Sequence, residues 1–162
     1  MGGEGVAAVR ELRRAAAITL SLLVVVSASC IVIGVPLEKM LSHWGYAWTR
    51  EYPWYPYWRG ALVNLLIWLS GLILASLDLR EAKYLIVTSA VAFIAFHYAS
   101  VVACAQAGYS VRVLPLAYVI ESKKVPGGAW HLDLGQVVAL VSAAEALEWG
   151  RVVRRARRSK PT

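Results

Sequence analysis

GALVNLLIWLSGLILASLDLREAKYLIVTSAVAFIAFHYASVVACAQA, residues 60–107, decides how this chain is built. It holds two apolar runs, 60–79 and 82–107, meeting at Asp78-Leu79-Arg80-Glu81-Ala82. An apolar run of about 20 residues matches a helix crossing the hydrocarbon of a bilayer, where backbone polar groups must be satisfied internally. So short a junction leaves room only for a tight αα-hairpin, and the two helices must be antiparallel neighbours.

Two further apolar segments flank this pair, at 15–35 and 130–150. The first follows Arg13-Arg14 and has the outline of a signal peptide, but it is unbroken from Ala15 to Val35. A cleavable apolar region runs only about 7–15 residues, so a span is expected instead. The last segment carries Asp133 and Glu145, with Trp130 and Trp149 near its ends where amphipathic rings anchor spans. The distance between those tryptophans, about 28 Å as a helix, matches the hydrocarbon thickness. The sequence therefore predicts an all-α integral membrane protein of four transmembrane helices, forming one domain over 1–162. Its outer loops would be 36–59 and 108–129.

Composition agrees, with 59% hydrophobic and 17% charged residues. A soluble domain carries nearer a quarter charged, and the loops are too short to fold alone. The net charge of +7 is unevenly placed. Arg10, Arg13, Arg14, Arg80, Lys83, Arg151, Arg154, Arg155, Arg157, Arg158 and Lys160 would share one side. Lys39, Arg50, Arg59, Arg112, Lys123 and Lys124 would share the other. The richer side is cytoplasmic by the positive-inside rule, which puts both termini inside the cell. The tail cluster Arg154, Arg155, Arg157 and Arg158 fits anionic lipid headgroups or a partner chain, at about 1 kcal/mol per basic residue. Charge that tracks the span ends argues against nucleic acid.

The outer loops are unusual. Eight of the fifteen residues from Trp44 to Trp58 are Trp or Tyr, and Pro53 and Pro56 are expected to prevent a regular helix there. Trp44, Trp48, Trp54 and Trp58 are thus candidates for contact with the outer leaflet or a partner. In the second loop, Val111–Ile120 is apolar but interrupted by Pro115, so an extended or re-entrant path is expected, closed by Pro126-Gly127-Gly128.

A helical wheel places Asn64, Trp68, Gly71, Ala75 and Asp78 on one stripe of the second span. Gly71 and Ala75 form a small-xxx-small pair for close helix approach, and Asn64 needs a protein partner. The third span shows two faces suited to packing. One carries Ala90, Phe93, His97, Ser100 and Cys104, the other Thr88, Ala92, Ala95, Ala99, Ala103 and Gln106. On the last span, Asp133, Gln136, Leu140, Ala144 and Glu148 are expected to face the bundle.

Ionisable groups inside a bilayer are costly and are functional candidates by default. His97 lies near the midplane; it fits a haem ligand, a quinone hydrogen bond or a proton relay, or a neutral imidazole bonded to Asn64 or a serine. A second helix-borne histidine for haem is missing, since His131 sits at the outer boundary and His43 in a loop. Glu145 and Glu148, with Asp78 and Arg80, fit an ion-pair network at the cytoplasmic ends; Glu145 also fits a proton or cation site. Cys30 and Cys104 stand at similar depth. No Ser/His/Asp set, paired metal-ligand spacing or glycine-rich phosphate loop is present.

The expected function is a non-catalytic multi-pass subunit, or a self-associating scaffold, of a larger assembly in the cell membrane. The alternatives are a redox subunit holding quinone or haem at His97, and a small oligomeric channel or transporter lined by Asn64, His97, Asp78 or Glu145.

Overall fold

The computed structural model describes residues 3–34, 52–79, 81–122 and 125–158, with backbone alone for 3–5, 7–8, 122, 125–127 and 150–158. The described chain runs α1 (Gly3–Gly34), α2 (Tyr55–Ser76), α3 (Ala82–Gln106), β1 (Ser110–Leu114), β2 (Ala117–Ser122), β3 (Val125–Leu132) and α4 (Leu134–Arg158). Among the described residues, three helices are long and apolar enough to cross a membrane, over Val9–Gly34, Tyr55–Ser76 and Ala82–Gln106. The fold is therefore mostly helical, with three helices able to cross a membrane and a small sheet.

The all-α expectation is corrected by the antiparallel sheet of order β1-β2-β3. Val111, Val113, Tyr118 and Ile120 fall on one face of it, a period of two that suits a pleated ladder. Pro115 does not interrupt an element but turns β1 into β2, with Leu116 following at φ 58°. The last helix accordingly starts at Leu134, because 130–132 belong to β3.

A second correction concerns the prolines of the first outer loop. Pro56 stands in the first turn of α2, where a missing N–H costs nothing, and the helix begins at Tyr55. Trp44 and Trp48 lie outside the described residues.

The core is apolar and thin. Ala61, Trp68, Ile86, Ala90, Phe93 and Val138 form it, drawing on α2, α3 and α4. Gly71 lets α3 approach α2 so closely that an added Cβ would stand 2.9 Å from Ile86 Cγ1 and 3.3 Å from its backbone N. α1 buries one stripe, Ser21, Val25 and Ser29, against this hairpin, while Leu20, Leu23, Val26 and Ile31 point outward. The serine hydroxyls donate back along their own helix, Ser21 to Ala17 O and Ser29 to Val25 O, so no donor is left bare in apolar surroundings.

At the end of the α2–α3 hairpin that carries the turn, here called its inner end, α2 closes with Asp78 N–H on Ala75 O (3.1 Å) and Leu79 N–H on Leu74 O (3.2 Å). Asp78 takes φ 62°, the left-handed conformation that ends many helices and that Asp tolerates better than most. It caps the turn and is exposed. Among the described residues, an ion pair at this end joins Arg13 to Glu81 at 2.6 Å. Arg80 lies outside the described residues.

α4 starts beside His97 and runs back along the bundle. Gly135 abuts His97 and Tyr98, Val138 enters the core, and Ser142 accepts a 3.0 Å hydrogen bond from Trp68 Nε1. Its inward stripe is Gly135, Val138, Ser142 and Trp149. The stripe read from sequence is corrected, since Leu140, Ala144 and Glu148 are exposed and only Asp133 and Gln136 of that set turn inward. Two adjacent helical stripes differ by a single residue, and the choice was decided by where Gly135 allows contact.

Candidate functional site

The densest polar construction is built on one carboxylate. Asp133 lies between β3 and α4 and is fully buried. Its Oδ1 accepts from the Gln136 backbone N–H (3.1 Å) and stands 3.2 Å from His97 Nε2. Its Oδ2 accepts from the Tyr98 hydroxyl (3.1 Å) and from Gln136 Nε2 (2.9 Å). A carboxylate has about four lone-pair positions, and here all of them are occupied by protein groups.

Local sequence explains the placement. Asp133-Leu134-Gly135-Gln136 ahead of Val137 and Val138 is an N-cap followed three residues later by Gln, a signature of helix starts. Gly135 allows the approach to α3, because a Cβ there would stand 2.7 Å from His97 Cδ2. Adjacent His97 and Tyr98 then reach the same carboxylate from α3.

The cluster extends into the sheet through Gln136. Its Nε2 also donates to Leu114 O (3.0 Å), its Oε1 accepts from Leu116 N–H (2.9 Å), and Asp133 N–H donates to Leu116 O (3.0 Å). One side chain thus ties the β1–β2 turn to the start of α4.

His97 is enclosed by rings. Phe93 stacks on it at 5.5 Å, while Tyr98 and Tyr118 meet it edge-on at 5.3 and 5.8 Å. With Asp133 ionised, Nε2 carries the proton and Nδ1 is left as the acceptor. His131 stacks on the far side of Tyr118 at 5.1 Å, so the two histidines are separated by a tyrosine and do not form an axial pair. Among the described residues, no group of three His, Cys, Asp or Glu is placed to hold a metal ion.

The other sequence candidates are dispersed. Asn64 is buried one helix away and bonds Ser29 Oγ and Gly60 O, both at 2.8 Å, rather than His97. Its Oδ1 is buried without a hydrogen-bond partner among the described residues. Ser100 donates to His97 O at 2.6 Å. Gly71 and half-buried Ala75 sit at the α2–α3 contact. Glu145 is half-buried farther along α4. Cys30 is exposed and Cys104 buried, and both are free thiols. Trp54 meets Tyr109 edge-on at 5.3 Å, and Trp54 and Trp58 line a cleft of about 240 Å³ with Tyr52 and Tyr55. Arg59 is buried nearby with its guanidinium 5.3 Å over the Tyr55 ring. Arg154, Arg155, Arg157 and Arg158 occupy the last turns of α4, their side chains outside what is described.

The Asp133 assembly is the part that sequence reading missed as a site, although its helix-start signature was legible. The pairing with His97 spans 36 residues of chain and passes through a sheet that was not expected. No family model, curated protein or solved structure matches this chain.

Proposed function

We propose that this protein is a non-catalytic integral subunit or self-associating scaffold of a larger assembly in the cell membrane. The observation that carries this reading is the saturated Asp133 carboxylate. A catalytic carboxylate or a ligand to a bound group keeps a position open, whereas this one is filled by His97, Tyr98 and Gln136. Asn64 and Trp68 likewise direct their donors to neighbouring helices. The polar groups inside the apolar helices are thereby used for holding the chain together.

The proposal includes four crossings with both ends cytoplasmic. α4 supports a fourth crossing by running beside the bundle from Asp133 to Trp149, and the arginine-rich end beyond it supports a cytoplasmic tail that docks on anionic headgroups. The aromatic cleft of Tyr52, Trp54, Tyr55 and Trp58 supports a partner or lipid contact at the outer end.

Solubilisation in mild detergent, followed by size analysis and identification of co-migrating chains, tests the reading. A homo-oligomer or a defined set of partner chains is expected, and a lone monomer would overturn it. A second reading, a quinone held beside His97, is favoured only by the ring enclosure of Phe93, Tyr98 and Tyr118. Extraction of the purified protein with organic solvent and recovery of no quinone would remove it.

A further inference from the structure

The β1–β2 hairpin carries an apolar tip where a hairpin in water would carry Asn-Gly or a similar polar turn. Its sequence is Val113-Leu114-Pro115-Leu116-Ala117, with Val113 55%, Leu114 38% and Leu116 44% exposed. Leu116 also holds φ 58°, a conformation costly for a bulky residue and ordinarily given to glycine. An exposed, strained leucine at a turn tip calls for an environment in which leucine is favoured.

The depth of the tip supplies that environment. The tip is bonded to Asp133 and Gln136, and Asp133 is level with His97. Counting from Ala82 beside the charged turn, His97 lies about 22 Å along α3, some 8 Å short of the far side of a hydrocarbon layer about 30 Å thick and so nearer that boundary than the midplane expected from sequence. Beyond the tip the sheet climbs about 3.3 Å per residue. Arg112 and Trp130, paired through Val119, therefore come level with the outer boundary two residues above the tip. Arg112 and Trp130 are strongly exposed, and Leu132 below Trp130 is 61% exposed. Apolar residues below, Trp and Arg at the boundary and Glu121 above form the layering of a membrane-seated element.

Hydrocarbon does not accept bare backbone polar groups. Three groups of the turn are covered, because Leu114 O, Leu116 N–H and Leu116 O are bonded by Gln136 and Asp133.

Resting on the membrane-spanning reading above, we propose that the β1–β2 hairpin is seated in the outer leaflet of the bilayer, its tip among lipid acyl chains and Arg112 and Trp130 at the headgroups. The Asp133–Gln136 cluster is then the seal that lets a sheet turn lie at that depth.

Nitroxide labels at Leu116→Cys and, independently, Leu132→Cys test this, in a Cys30→Ala background and in vesicles of neutral and anionic phospholipid. Collision with oxygen, which concentrates in lipid, is compared with collision with a water-soluble nickel chelate. A label at Glu121→Cys provides the aqueous reference and one at Val91→Cys, exposed in mid-α3, the lipid reference. The oxygen-to-nickel ratio at 116 and 132 is expected to be several-fold higher than at 121 and close to that at 91. Ratios at 116 and 132 equal to that at 121, with 91 still in lipid, would overturn the hairpin placement alone. An aqueous ratio at 91 would overturn the spanning reading beneath it. Low collision with both reagents at 116 and 132 would mean that protein covers the tip, which also overturns the lipid placement.

Discussion

The two ends of the α2–α3 hairpin are built on opposite principles. At the inner end the helices touch backbone to side chain through Gly71 and Ile86, and the connection is a short turn capped by its own amides. At the outer end they diverge in role. α2 begins among Trp and Tyr, while α3 offers His97 and Tyr98 to a buried carboxylate that also carries a sheet. The comparison teaches where polar groups are needed inside an apolar protein. Close-packed helices satisfy their own backbones, but a turn of sheet brought to the same depth must borrow side-chain partners.

The largest expected effect breaks the outer end. Asp133→Ala removes an N-cap and strands the Tyr98 hydroxyl, the His97 ring N–H and two Gln136 donors; at about 1 kcal/mol per stranded group, the loss should reach roughly 4 kcal/mol. Thermal unfolding in detergent measures it, and limited proteolysis should reveal cleavage between β1 and α4 before the α2–α3 hairpin is attacked. Equal protection of both regions would show that the cluster does not hold the sheet.

Overpacking the inner end comes next. Gly71→Leu forces atoms into space held by Ile86 and its backbone, at a cost of about 1–3 kcal/mol. Gly34→Ala is the control, because nothing lies within 4 Å of a Cβ there. A stability loss at position 34 equal to that at 71 would contradict the close approach of α2 and α3.

Asp78→Gly should act in the opposite direction. Glycine takes φ 62° without a clash between Cβ and backbone, so the variant is expected to gain up to about 1 kcal/mol in the same unfolding assay. The smallest effect belongs to Asn64→Leu. Hydrogen bonds between membrane helices average about 0.6 kcal/mol, and the Asn64 amide leaves its own oxygen unbonded. A larger loss for Asn64→Leu than for Gly71→Leu would show that the α2 face is held by its amide rather than by its fit.

Much of this is legible in the sequence. The hairpin of α2 and α3 followed from two apolar runs and a junction too short for anything else, and the stripe of Asn64, Trp68 and Gly71 followed from helical period. The sheet was less legible. Val111–Ile120 alternates over too few residues to outweigh its overall apolar character, and Pro115 reads equally as a break or as a turn. Its apolar tip disguised the turn, since polar turn residues are the usual sign. The start of α4 was written in Asp133 and Gln136, but the neighbouring Trp130 drew the expected boundary into β3. The partner of His97 was the least legible, because a contact across 36 residues depends on the sheet that intervenes.

The claim on which the account turns is that polar side chains inside these helices hold the chain together. A double-mutant cycle between His97 and Asp133, read by unfolding in detergent or nanodiscs, tests it most directly. His97→Leu and Asp133→Leu should each destabilise, and the double variant should lose clearly less than the two losses combined, with a coupling of about 1 kcal/mol or more. Two losses that simply add, or two variants as stable as the parent, would contradict it.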